Sequence, residues 1–279
     1  MDKMEAKHYP SIGQSIGLTG LIILVMLMLS PIVFLKEILG TEATSFIYYF
    51  VAMGLSFWIV FSIWKSKVED HSFKFTINNK KVIPLVLLGT IGIQYALTLP
   101  ISSLIPMSEE MMEIFKESIG NPRNIFAFIT LVVLAPILEE LIFRGIILRG
   151  LLNRYSPFIA IVLSSTLFGI VHLNPWQFVS AFFLGIFIGW VYSQTKSLSL
   201  SIIIHAFNNF MASLPMILWP KYAENSNESL REILGSDLIY ALIIAGAAII
   251  ATVCIFYLYK TFKQEAVEST KIWDKPVNG

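Results

Sequence analysis

The stretch LAPILEELIFRG, Leu134 to Gly145, sets two adjacent glutamates and an arginine inside a run otherwise apolar enough to cross a membrane. Its reading depends on the chain around it. Of 279 residues, 56% are hydrophobic and 14% charged, and the mean hydropathy is +0.71. A soluble domain carries about 25% charged residues. Apolar runs of about 20 residues, the length that crosses a bilayer core, recur along the sequence. An open chain satisfies its backbone groups in lipid only as helices. The expected fold is therefore all-α, a polytopic membrane bundle in one integral-membrane domain over residues 1–279.

Eight helices are expected: Ser15–Leu35, Ala43–Trp64, Lys81–Ile105, Ile125–Leu152, Ser156–Leu173, Trp176–Thr195, Leu198–Leu218 and Leu238–Tyr259. With eight spans the termini share a side. That side collects 14 of the 20 lysines and arginines, the opposite loops collect 5, and Arg144 is left inside a span. Both termini are expected in the cytoplasm. Lys3 and Lys7 precede an apolar segment without a small-residue cleavage pattern, which reads as an uncleaved first span. Two loops, Ser108–Gly120 and Asn227–Gly235, carry the caps of short interfacial helices. The net charge of +1 gives no sign of a nucleic-acid partner, and the single cysteine, Cys254, excludes a disulfide framework.

Glu139 and Glu140 are the only acids well inside an expected span. A charge at the bilayer centre costs roughly 2.5–3.5 kcal/mol, so such residues usually mark a function. Glu140 and Arg144 are four apart on one helix face, with the acid N-terminal to the base, which suits an ion pair. Glu139 is rotated about 100° away and lacks that partner. Pro136 removes a backbone hydrogen bond one turn earlier and should kink the helix beside the acids.

Two of the four histidines lie in expected spans. His172 closes FGIVH, with Phe168 on the same helical face, and His205 opens HAFNN, with Asn209 one turn below. Glu139, His172 and His205 thus come from three helices that a bundle can bring together. A glutamate with two histidines can hold zinc. The same trio could instead activate water directly, with Glu139 as general base, because desolvation and Glu140 both disfavour a second negative charge beside it. Glu140, held by Arg144, would orient the site. Asn209 could stabilise an oxyanion beside His205, with Asn208 as its competitor. Taken singly, these residues also have structural readings: a membrane histidine or asparagine often joins helices, a Glu–Arg pair can lock them, and Phe168 suits core packing.

Other hydrolase patterns are absent or out of place. There is no H-E-x-x-H. Asp2, Asp70, Asp237 and Asp274 lie outside the spans, and GQSIG (Gly13–Gly17) lacks the strand-to-helix context of a nucleophile elbow.

Three ordered motifs, Glu139-Glu140-x-x-x-Arg144, Phe168-x-x-x-His172 and His205-x-x-x-Asn209, resemble those of the CAAX protease and bacteriocin-processing family, the group of the type II CAAX prenyl endopeptidase and the bacterial Abi proteins. The resemblance covers roughly Ile125–Leu214. It implies an eight-helix intramembrane endopeptidase with a catalytic core at about 125–214 and a cavity open to the cytoplasm. Its substrate would be a membrane-embedded or lipidated protein or peptide. Family members are classed as metalloendopeptidases, which would make Glu139, His172 and His205 zinc ligands. A glutamate-dependent scheme instead makes Glu139 and His172 the water activators and His205 and Asn209 the oxyanion donors, with Glu140, Arg144 and Phe168 in support.

Two other classes compete. A proton-coupled transporter would use the Glu–His cluster as a relay, but would string polar groups to both faces and show an inverted repeat. A non-catalytic membrane binding or immunity protein would keep the motif as structure. One geometric tension remains. At 1.5 Å per residue, His205 lies about 10–12 Å from the start of its span, whereas Glu139 and His172 lie about 20–25 Å from the same side.

Overall fold

The computed structural model describes residues 8–106, 108, 110–111, 113, 120–218 and 230–273. Among these the fold is all-helical. The helices are α1 (Ile12–Leu39), α2 (Thr41–Lys65), α3 (Val82–Ser102), α4 (Ile125–Leu152), α5 (Pro157–Ile170), α6 (Pro175–Thr195), α7 (Leu198–Leu218), α8 (Leu230–Leu234) and α9 (Asp237–Trp273). Seven of them, all but α5 and α8, are long and apolar enough to cross a membrane. The chain is an integral, multi-pass membrane protein. Of the two expected interfacial helices, most of 108–120 lies outside the described residues, and the second is seen as α8.

Caps explain where the helices begin. Ser11 and Gln14 form a capping box, so α1 starts earlier than its apolar run suggests. Pro31 is accommodated by a 3₁₀ stretch at Ser30–Leu35, and α1 continues to Leu39. Gly40, at φ 80°, then turns the chain into α2. The fifth expected span is shorter than its hydropathy suggests. Helix α5 has 14 residues, about 21 Å at 1.5 Å per residue. Leu173 adopts a left-handed conformation at φ 53°, Asn174 caps the amides of Trp176 and Gln177, and Pro175 starts α6. The dipeptide Asn174-Pro175 therefore ends the run near His172 and starts α6.

Two apolar clusters share α6 and the start of α7. One gathers residues of α1, α2, α4, α5 and α6 with Leu198 of α7; the other gathers residues of α3, α6, α7 and α9. The second half of helix α4 is enclosed, with every residue from Ile142 to Leu148 buried. A helix buried all round can be apolar all round, which is why LIFRGIIL shows no polar face apart from Arg144. By contrast α9 presents Ile249, Phe256 and Tyr257 outward, as a lipid-facing helix does.

The depth mismatch between Glu139 and His205 disappears because α7 starts in a recess. The Leu198 amide donates to the Lys74 carbonyl (2.8 Å), so the segment between α2 and α3 folds in over the end of α7. Leu198 then packs beside Gly145 rather than beside Leu152: a Cβ on Gly145 would stand 3.4 Å from Leu198 Cδ1. From these matched starting points Glu139 and His205 are six and seven residues further in, about 9–11 Å each. Phe73 seals the recess. Its ring stacks on Trp64 at 5.5 Å and meets Phe61 at 5.8 Å.

Gly145 is required by this seal, since its Cβ would come within 2.8 Å of the Phe73 ring. Gly145→Val should lower the unfolding midpoint in detergent by an amount equivalent to about 1–3 kcal/mol. Adding Phe73→Ala should return part of that loss. Equal midpoints for Gly145→Val and wild type would show that the ring is not held there.

Candidate active site

Glu139 and Glu140 lie in the short α-helical part of α4 between two π-helical stretches, Thr130–Leu134 and Leu141–Leu148. Wider turns of this kind often occur at functional sites. Pro136 gives the first a physical cause. The Ala135 amide donates to Thr130 O, five residues back, and Pro136 has no N–H for the carbonyl of Leu131. That orphaned oxygen is taken by Asn209, whose Nδ2 donates to it at 2.9 Å. The expected kink is thus a widened turn, stapled by a side chain from α7.

Glu140 is fully enclosed, at 0% exposure. Its Oε1 accepts from Arg144 Nη1 at 2.9 Å and from His205 Nδ1 at 2.9 Å. Arg144 continues the network through Nη2 to Gly185 O on α6 (3.2 Å) and lies 4.6 Å above the Phe168 ring. A Cβ on Gly185 would sit 3.3 Å from that guanidinium, so a glycine lets α6 approach. Phe168 meets both imidazoles edge-on, with centroids 5.2 Å from His172 and 5.6 Å from His205.

The hydrogen bonds set the histidine tautomers. His172 Nδ1 is 2.8 Å from the carbonyl of Phe168, which can only accept, so Nδ1 carries the hydrogen. His205 Nδ1 donates to a carboxylate in the same way. The Nε2 atoms are thereby left for chemistry, and that of His205 stands 3.7 Å from Glu139 Oε2. The other oxygen of Glu139 has a partner no motif suggested: Tyr49 on α2 donates its hydroxyl to Oε1 at 2.5 Å. A lone tyrosine among ten, 90 residues away, carries no local signal of this role.

The structure therefore brings together Glu139, Glu140, Arg144, Phe168 and His205 on α4, α5 and α7, joins Asn209 to α4, and sets His172, in the turn after α5, against the Phe168 ring. Asn208 is buried behind it, donating to Asn209 Oδ1 at 3.3 Å. Among the described residues no group of three or more His, Cys, Asp or Glu side chains is disposed to hold a metal ion.

Residues 121–211 match the family of the type II CAAX prenyl endopeptidase, Rce1-like. The chain is similar to YdiL of Bacillus subtilis, a candidate membrane peptidase, with 31% identity over 104 residues, 37% of this chain and 43% of that protein. It is similar also to the membrane-embedded CAAX protease MroQ of Staphylococcus aureus, with 33% identity over 114 residues, 38% of this chain and 46% of the relative. The match thus spans less than half the length of either relative. No solved structure matches the chain. The matched segment runs from the start of α4 into α7 and contains all three motifs.

Two double-mutant cycles test this geometry. Arg144→Met strands the Glu140 charge and should cost about 3–5 kcal/mol, most of which Glu140→Gln should restore. Asn209→Ala should cost about 0.5–1.5 kcal/mol in wild type but less beside Pro136→Ala, where residue 136 regains an N–H for Leu131 O. Additive midpoints in both cycles would rule out the two couplings.

Proposed function

We propose that the chain is an intramembrane endopeptidase hydrolysing peptide bonds of membrane-associated or lipidated proteins or peptides, with Glu139 as the base that activates water. The observation that carries this reading is the approach of His205 to both Glu139 and Glu140 over the buried Glu140–Arg144 pair, with His172 and His205 both against the Phe168 ring, within the family-matched segment.

In this reading a Glu139 oxygen takes a proton from a water held also by His172 Nε2. The water oxygen attacks the scissile carbonyl, and the proton passes on to the leaving amine as the C–N bond breaks. Because His205 Nδ1 is committed to Glu140, donation to the oxyanion from Nε2 belongs to its imidazolium form. The second hydrogen of Asn209 Nδ2 is the other donor, the first being held by Leu131 O. Tyr49 fixes the rotamer of Glu139. The lysine- and arginine-rich end, which includes both termini, would face the cytoplasm.

One observation favours the non-catalytic alternative: Glu139, Glu140, Arg144, His205 and Asn209 all have structural hydrogen bonds or ion pairs. Cleavage of a fluorogenic peptide library, with a farnesylated C-terminal peptide among its members, separates the two in purified protein. Glu139→Gln should abolish turnover, a loss on the order of 10²–10⁴-fold, while preserving the fold. Tyr49→Phe should lower kcat/KM about tenfold, equivalent to about 1.4 kcal/mol of positioning. Chelator and added zinc, as parallel arms, read metal dependence directly. Turnover that survives Glu139→Gln would sink the protease reading.

A further inference from the structure

A second site, apart from the glutamates, lies at the lysine- and arginine-rich ends of α4 and α6. A cavity of about 170 Å³ opens there, lined by Phe73, Lys74, Arg149, Asn153, Tyr192 and Lys196. Its three cations come from three separate places: the recessed segment, the last turn of α4, and the residue that caps α6. Lys196 is held at the mouth by a left-handed backbone at φ 54°, with its ammonium 5.9 Å from the Tyr192 ring. Arg149 is braced from below by Trp64, with its guanidinium carbon 5.4 Å from the ring centroid.

The charges do not balance. Asp70 takes Arg149 at 2.7 Å, and hydrogen bonds from Ser72, aided by Arg149, hold its carboxyl down at about 2. It stays ionised and answers one cation. Among the described residues neither Lys74 nor Lys196 forms an ion pair with a carboxylate. Partial burial, followed by the positive charges of Lys74 and Arg149, lowers the Lys196 ammonium below its ordinary value. Like charges gathered around a cavity repel one another, and an anion placed among them relieves that repulsion.

The position of the cavity indicates the source of the anion. It sits where α4 and α6 end, at Leu152 and Thr195, the level at which a bilayer's headgroups meet the helix ends. Basic pockets between membrane helices bind phosphorylated headgroups at this depth. We propose that Lys74, Arg149 and Lys196 form a binding site for the phosphate of an anionic lipid headgroup. The site packs against the Phe73 seal, so its occupant also braces the segment that recesses α7. The proposal does not depend on the protease reading.

The test uses the full chain in neutral detergent, with the unfolding midpoint as readout. Phosphatidylglycerol is titrated, with phosphatidylcholine and inorganic phosphate as separate arms. Phosphatidylglycerol should raise the midpoint by several degrees in wild type and in Lys80→Gln/Lys81→Gln, which removes two lysines of the same loop outside the cavity. Lys74→Gln/Lys196→Gln should lose that shift, and Lys74→Arg/Lys196→Arg should retain it. Without lipid, the glutamine pair should unfold no lower than wild type, because it removes a repulsion. A shift with phosphatidylglycerol alone assigns the site to lipid; a comparable shift with inorganic phosphate assigns it to phosphate as such. An undiminished shift in Lys74→Gln/Lys196→Gln, an equal loss in the Lys80/Lys81 pair, or no shift with either phosphate source overturns the proposal.

Discussion

Glu140 is a carboxylate without exposure to solvent, compensated by Arg144 on its own helix and by His205 on α7. An ion pair taken out of water returns its desolvation cost only when its geometry is good and its remaining hydrogen bonds are made. That condition is met in part, since Glu140 Oε2 and Arg144 Nε are buried without a partner, and the bonds that are made organise the centre of the molecule. They draw Gly185 of α6 towards the guanidinium, set Phe168 of α5 beneath it, and fix the His205 ring by its Nδ1. Four helices are thereby referenced to one charge. Glu139, the next residue, inherits a defined position from this arrangement and receives its own hydrogen bond from α2.

The same economy of parts appears along α4. A proline beside the acids leaves the carbonyl of Leu131 without a helical donor, and Asn209 supplies one from α7. This bond joins the helix of the glutamates to that of His205 at a second point, a turn from the Glu140–His205 contact. The asparagine therefore has a structural duty besides any part in stabilising an oxyanion, and its two amide hydrogens can serve one each. A defect in one helix and a polar residue in another are explained together, which neither sequence position explains alone.

Around this centre the membrane sets the remaining terms. Helices α4 and α6 are enclosed and tolerate close approach at Gly145 and Gly185, whereas α9 turns large apolar side chains outward. At the basic end, aromatic rings and cations hold the chain between α2 and α3 against the ends of α4 and α6. That packing lets α7 begin deep and aligns its histidine with the glutamates. The surface chemistry of one end and the alignment of the buried site are mechanically linked.

Composition and apolar run lengths were enough to read an all-helical membrane chain, because a bilayer allows few alternatives to a helix. The i, i+4 spacing of Glu140 and Arg144 likewise forecast their ion pair, since a helix places those positions on one face. The fifth helix was expected to reach Leu173 but stops at Ile170, because apolar content does not record where a backbone turns. Tyr49, the recessed start of α7 and the staple from Asn209 to Leu131 were decided only by the tertiary structure. Each joins residues remote in sequence, and a partner of that kind is chosen by packing geometry, which no local pattern encodes.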